Sequence, residues 1–243
     1  MDIDVDAGGN AYATGYTTSQ NFPTRNALQS TLAGTQDVFV TKFNPEGTPV
    51  YSTYFGGSGI ESTDGGGIAV DVAGSVYLVG HTSSTDFPTH NPLQPAYGGG
   101  QWDAFITKLA PDGRALIYST YFGSSGTDRG NRIAVDSLGN AYVTLNVDSN
   151  DVPTVSPVQP AYGGGTEDSF LAKLSPDGRT LIYSTFHLPW RQRARSDSRR
   201  RGYRRLGQRL HRRFYRFNRF PNRKPPAAHF RWRPEGWLGG ENF

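Results

Sequence analysis

The sequence predicts an all-β protein of about three β-propeller-type blades, each with four antiparallel strands, followed by an irregular C-terminal tail. The chain repeats itself about every 65 residues, each repeat contains four short β-like runs, and no long stretch shows helical periodicity. One repeat is too small to bury both faces of its own sheet, so neighbouring repeats must stack. Closed propellers have four to eight blades, so we expect an incomplete ring.

Three separated motifs define the repeat, and they recur in the same order. An Ile-x-Val-Asp run followed by Gly-x-x-Tyr occurs three times, with its aspartates 65 residues apart at Asp6, Asp71 and Asp136. A Phe-Pro-Thr or related segment and a Lys-x-x-Pro-x-Gly segment follow in each repeat. We therefore place the repeats at about 1–65, 66–130 and 131–186.

The middle repeat gives the four strands in order. The first two are predicted at 68–71 and 76–80, joined by a tight turn in which Gly74 accepts positive φ. The third and fourth are predicted at 104–109 and 116–122, joined by Pro-Asp-Gly, which is a hairpin signal. A β-solenoid is the alternative, but its coils are usually shorter than this repeat.

Acidic and aromatic residues that recur in every repeat are expected to serve the fold. Asp6, Asp71 and Asp136 precede turns that their carboxylates can cap, and Asp103 and Asp168 are interpreted in the same way. Recurring aromatic side chains are expected to pack between neighbouring blades. They are Tyr12, Tyr77 and Tyr142 in the second strand, Phe39, Phe105 and Phe170 in the third, and Tyr51, Tyr118 and Tyr183 in the fourth.

These motifs resemble a known family. The patterns IAVDxxGNAYVTG, TDFPTxNPLQPxYGGGxxDAFxxKLxPDG and LIYSTYFGGSG are similar to the bacterial β-propeller repeat called SBBP, over residues 1 to about 186. The resemblance implies the propeller fold and an exported or surface-associated protein, and it implies no particular activity. No signal peptide is visible at the N-terminus.

Charge divides the chain into two unlike parts. Residues 1–186 carry a net charge of −10, and residues 187–243 carry +14. Read one base later, codons for the tail permit TDFPTANPL over 218–226 and QPTFGGG over 227–233, which are the repeat's own motifs. We therefore interpret the tail as a further repeat in a shifted frame, poorly packed or disordered, and the chain as a fragment of a larger reading frame. Polyanion binding by the Arg-rich tail is an alternative function.

Composition and motifs exclude several chemistries. The absence of cysteine excludes disulfides, thiolate metal sites and a cysteine nucleophile. The sequence contains no GxSxG elbow, HExxH pair or GxxxxGK[ST] loop, and no run of apolar residues long enough to span a membrane. We expect no catalytic residue, cofactor or metal ion, although the alternating Asp2, Asp4 and Asp6 leave calcium dependence open.

The long connection between the second and third strands is the best candidate for ligand recognition. It runs from about His81 to Trp102, and its repeated Pro-rich motif indicates a cover over the blade edge. Positions that do not repeat are where ligand choice could lie. The candidate residues are His81, His90, Trp102 and Tyr16.

Two classes of function follow. The first is a non-enzymatic structural or interaction module, adhesion-like, within an exported surface protein that binds a protein or glycan. The second is part of a polysaccharide-active lyase or hydrolase, which would need non-repeated His, Arg or carboxylate groups converging from several blades. No specific nucleic-acid partner is expected. The uncovered blade faces would meet further blades of a parent protein or a second copy of the chain.

Overall fold

The computed structural model describes residues 1–63 and 67–187, which form three antiparallel sheets and no helix. Blade one contains β1 (Asp2–Val5), β2 (Ala11–Thr17), β3 (Asp37–Phe43) and β4 (Pro49–Phe55). Blade two contains β5 (Glu61–Ser62), β6 (Ile68–Val70), β7 (Val76–Thr82), β8 (Asp103–Leu109) and β9 (Leu116–Phe122). Blade three contains β10 (Asp128–Val135), β11 (Ala141–Val147), β12 (Asp168–Leu174) and β13 (Leu181–His187).

Each blade is a meander of strands in chain order, so the predicted all-β, propeller-like fold is confirmed. In blade two the innermost position is shared by β5 and β6, which both pair with β7. The sheets show no closed ring among the described residues. The predicted tail at 187–243 and its frame shift lie outside the described residues, except for His187. Within the described part of the chain, no helix could cross a membrane.

The hydrophobic core lies between blades. One cluster joins the face of blade one that carries Tyr12, Val40 and Phe55 to Leu78 and Phe105 of blade two. A second cluster joins blade two to blade three in the same way. Each fully buried aromatic or aliphatic side chain contributes roughly 1.5–3 kcal/mol. Neighbouring blades therefore stabilise one another, as the repeat length predicts.

The connection between the second and third strands lies along the outer strand of its own blade. In blade two, the backbone N–H and C=O of His90 pair with those of Ser119 on β9 (2.9 and 2.8 Å). Arg25 pairs with Ser52, and Val155 with Ser184, in the same manner. We call these connections, at 18–36, 83–102 and 148–167, the cover segments. The predicted role as a cover over the blade edge is confirmed.

Candidate functional site

A cleft of about 400 Å³ lies between blades two and three. It is lined by His81, Trp102, Arg129, Gly130 and Asn131. Two of these residues come from blade two and three come from the innermost strand of blade three. The cleft therefore exists only where two consecutive blades meet.

Blade two supplies an aromatic wall. His81 lies near the end of β7, and Trp102 directly precedes β8, so the pairing of His81 with Ala104 brings the two rings together. Their centroids are 4.9 Å apart, and the rings meet edge to face at 78°. His81 is buried and Trp102 is half-buried. The Trp102 carbonyl also accepts a hydrogen bond from the Asp128 amide (2.7 Å), which fixes this wall to blade three.

Blade three supplies a polar wall through an irregularity in β10. The pairing register of β10 with β11 shifts between Gly130 and Arg132, which leaves Asn131 between paired residues. A Cβ at Gly130 would lie 2.5 Å from Cγ2 of Val79 and 2.6 Å from the Gly80 carbonyl oxygen. Only glycine lets the β10 backbone approach β7 so closely.

The side chains of the polar wall are linked to two residues behind it, Asn146 and Glu167. Arg129 forms an ion pair with Glu167 (Nη1 to Oε1, 2.9 Å). Asn131 donates to Asn146 Oδ1 (2.8 Å), and Asn146 donates to Glu167 Oε2 (3.2 Å). Glu167 thus neutralises the guanidinium and orients both amides. The wall offers donors and acceptors without net charge.

Comparison of the three repeats shows that this site includes positions that do not repeat. Tyr16, His81 and Asn146 occupy one structural position, because each pairs with the residue next to the start of the third strand. A second such position directly precedes the third-strand aspartate and holds Gln36, Trp102 and Glu167. Both positions differ in all three repeats, as does the cover-segment position held by Arg25, His90 and Val155.

The structure brings together two of the four candidate residues. His81 and Trp102 line the cleft, whereas His90 is exposed on the cover segment and Tyr16 is exposed on β2 of blade one. The expectation that His81 begins the connection after the second strand is wrong, because His81 lies on β7 and is buried. Strand β7 continues two residues beyond its predicted end, because His81 and Thr82 pair with Ala104 and Asp103.

Sequence reasoning missed Arg129, Asn131 and Glu167. The signal that could have found Glu167 is the second variable position, immediately before the repeated aspartate. Arg129 and Asn131 lie upstream of the repeated Ile-Ala-Val-Asp run, where blade two has a longer sequence, and alignment of the repeats cannot pair them. Only the register of β10 against β11 places them opposite β7.

The repeated aspartates serve the fold, as predicted. Asp71 Oδ1 accepts the amides of Ala73 (3.0 Å) and Ser75 (2.9 Å), and Asp6 and Asp136 cap their turns in the same way. Asp103 accepts the amide of Gly98 (2.6 Å) in its cover segment. Among the described residues, no three His, Cys, Asp or Glu side chains are grouped to hold a metal ion.

The buried and the turn-capping carboxyls differ in their acidity. Burial raises the pKa of Asp103 to about 6, and burial likewise raises the pKa of Asp128 to about 6. Hydrogen bonds from Asn140 hold the pKa of Asp136 below its ordinary value. None of these carboxyls lines the cleft.

The cleft is suited to binding a polar molecule that has an apolar face. An aromatic wall packs against C–H groups, and planar amide, guanidinium and carboxylate groups bind paired hydroxyls.

A family model described as a beta-propeller repeat, SBBP, matches residues 50–88 and 117–144. No curated protein matches the chain.

Proposed function

Because the chain carries SBBP-type β-propeller repeats, we propose that it is a non-enzymatic binding module of an exported surface protein, and that a glycan binds in the cleft between blades two and three. One observation carries the proposal. His81 and Trp102, which stand at two of the positions that differ in every repeat, line this cleft together with Arg129 and Asn131. A residue that only serves the fold can repeat in each blade, so this divergence favours a role in recognition.

The charges around the cleft favour a neutral saccharide. Glu167 pairs with the Arg129 guanidinium, so that cation is not available to attract an anion. Residues 1–186 carry a net charge of −10, which repels anionic ligands at a distance. A neutral pyranose offers an apolar face for Trp102 and hydroxyl groups for Asn131 and the Arg129–Glu167 pair.

The proposal is tested by measuring the binding of neutral and acidic oligosaccharides to the full chain, in about 0.5 M salt to screen the basic tail. We expect saturable binding of a neutral glycan, and at least a tenfold loss in Trp102→Ala. Tyr16→Ala is the matched control. It removes an exposed aromatic ring from blade one, where Tyr16 occupies the position that His81 occupies in blade two.

Two results would contradict the proposal. If Trp102→Ala and Tyr16→Ala bind equally well, the cleft is not the binding site. If the protein releases product from a bound glycan or from synthetic esters, the module is an enzyme, and the lyase or hydrolase alternative takes its place.

A further inference from the structure

Consecutive blades join through tyrosines that pack on turn glycines. The Tyr12 hydroxyl lies 3.2 Å from the position of a Cβ on Gly74, and ring carbons of Tyr51 lie 2.5 Å from that of Gly113. A Cβ at Gly113 would overlap the Tyr51 ring, and one at Gly74 would make a tight contact with the Tyr12 hydroxyl. The junction of blades one and two thus contains two seats, each formed by a tyrosine of one blade and a glycine of the next.

The junction of blades two and three repeats this arrangement. The Tyr77 hydroxyl oxygen lies 3.2 Å from the Gly139 carbonyl oxygen, and a Cβ at Gly178 would overlap the Tyr118 ring. The tyrosines of all four seats are fully buried. They belong to the second and fourth strands, and the glycines belong to the turns that precede those strands in the next blade.

The outer faces of blades one and three each carry one half of such a seat. Blade one has the glycines, and blade three has the tyrosines. Blade one presents Gly9 and Gly47 at the positions of Gly74 and Gly113, with the same positive φ. Within the described chain, nothing lies within 4 Å of a Cβ placed on Gly47, and only Pro45 lies near one placed on Gly9. Blade three presents Tyr142 and Tyr183, which are only partly buried.

Apolar side chains mark the open face of blade one. Ile3 is 64% exposed and Val5 is 56% exposed on β1. Ile68, which occupies the position of Ile3 in blade two, is only 6% exposed because blade one covers it. The face of blade one therefore has the composition of a blade junction without its partner.

We propose that a second copy of this chain docks head to tail, with Tyr142 and Tyr183 of one copy seated on Gly9 and Gly47 of the other. The described residues of two copies form six blades, a number within the range of closed propellers. Two identical junctions then close the assembly, so that it stops at a dimer. This inference is independent of the glycan proposal.

One contact of the internal junctions is absent from the proposed one. Arg114 donates to Asn26 Oδ1 (2.6 Å) across the first junction, and Arg179 donates to Asn91 across the second. Thr48 and Ser156 hold the corresponding positions on the two outer faces, and their side chains are too short to meet. The dimer junction should therefore be weaker than the internal ones, and Thr48→Arg with Ser156→Asn should strengthen it.

The test is the mass of the full chain by sedimentation equilibrium over a range of concentrations, in about 0.5 M salt to screen the basic tail. We expect a dimer that dissociates on dilution, with a dissociation constant at least tenfold lower for Thr48→Arg with Ser156→Asn. Ile3→Lys with Val5→Lys should be monomeric. Val72→Lys with Leu138→Lys is the matched control, because these residues are 96% and 76% exposed in turns.

Two outcomes would overturn the inference: a wild-type chain that is monomeric at every concentration, or a dimer that Ile3→Lys with Val5→Lys leaves unchanged. The second outcome would place the contact elsewhere, for example between the basic tail and the acidic repeats. Trp102→Ala should remain dimeric, so failure of this inference and failure of the glycan proposal are distinguishable.

Discussion

The side chain of Asp71, which recurs in every repeat, stabilises both a turn and a neighbouring tyrosine. One oxygen caps the turn between β6 and β7, and the other accepts a hydrogen bond from the Tyr77 hydroxyl (3.1 Å) and pairs with Lys108 (3.4 Å). The Lys108 ammonium also lies 4.6 Å from the centre of the Tyr77 ring. The same aspartate therefore orders a turn and the tyrosine that blade three packs against.

Asp71→Ala should lower the free energy of unfolding by about 2–3 kcal/mol, because it leaves two turn amides without their acceptor and Lys108 without its ion pair. Chemical denaturation followed by tyrosine fluorescence measures this change. Glu46→Ala, at an exposed turn residue, should change stability by less than about 0.5 kcal/mol. Equal effects of the two variants would show that the carboxylate contributes nothing beyond its charge.

The residue scale also shows where the sequence stops being informative. The Asp, Gly and Tyr of each turn could be assigned roles because their chemistry is local. His81 and Trp102 could be singled out as non-repeated. They are 21 residues apart in the sequence, however, and only the pairing of β7 with β8 brings them into contact. Arg129 and Asn131 reach the cleft through an irregular register that no periodicity encodes.

Among the elements, the cover segments depend on a tyrosine in the outer strand. The Tyr121 hydroxyl donates to the Ser84 carbonyl (2.7 Å) and accepts from the Phe87 amide (3.0 Å). Tyr54 makes the corresponding bonds to Ser19 and Phe22 in blade one. Each hydroxyl ties the start of a cover segment to the sheet that it covers.

Tyr121→Phe should lower stability by about 1–2 kcal/mol and speed hydrogen exchange at the Phe87 amide, because that buried amide loses its acceptor. Tyr97→Phe is the control, since the Tyr97 hydroxyl makes an exposed bond to Gly100 (3.4 Å). Blade three already has Phe186 at the position of Tyr121. Unchanged exchange at Phe87 in Tyr121→Phe would contradict this role of the hydroxyl.

Element boundaries could be predicted where turn residues define them, and not elsewhere. Strand β9 has the predicted bounds because Pro-Asp-Gly precedes it and glycine follows it. The sequence did not predict strand β5, in which Glu61 and Ser62 pair with β7. A strand of only two residues is too short to show an alternating pattern. The covers were recognised from their repetition, but not their attachment through Gln94, which bonds Asp103 (3.2 Å) and the Gly123 amide (3.0 Å).

For the molecule as a whole, buried carboxyl groups lie at the blade junctions. Asp103 of blade two and Asp128 of blade three are buried, and the negative charge of Asp128 adds to the desolvation that raises the pKa of Asp103. At the preceding junction, burial raises the pKa of Glu61, and the neighbouring Asp37 adds to this effect. Packing of consecutive blades is therefore linked to protonation.

We expect this linkage to make the protein more stable as the solution becomes mildly acidic. A carboxyl whose pKa is about 6 in the folded state and about 4 in the unfolded state binds protons more tightly when folded. The free energy of unfolding should therefore increase by about 2–3 kcal/mol between pH 8 and pH 5, about half of it from each carboxyl. The gain ends near pH 4, below which protonation of Asp71 and Asp136, whose pKa values are lowered by folding, opposes it.

Denaturation at pH 8 and pH 5 checks this expectation, and Asp128→Asn isolates its cause. The amide resembles the protonated carboxyl in shape and carries no charge, so the variant should gain stability at pH 8 and change less between the two pH values. Asp112→Asn, in an exposed turn, should keep the wild-type difference. A wild-type protein that is less stable at pH 5 than at pH 8, or an Asp128→Asn variant with an undiminished difference, would show that the blade junctions do not control the pH response.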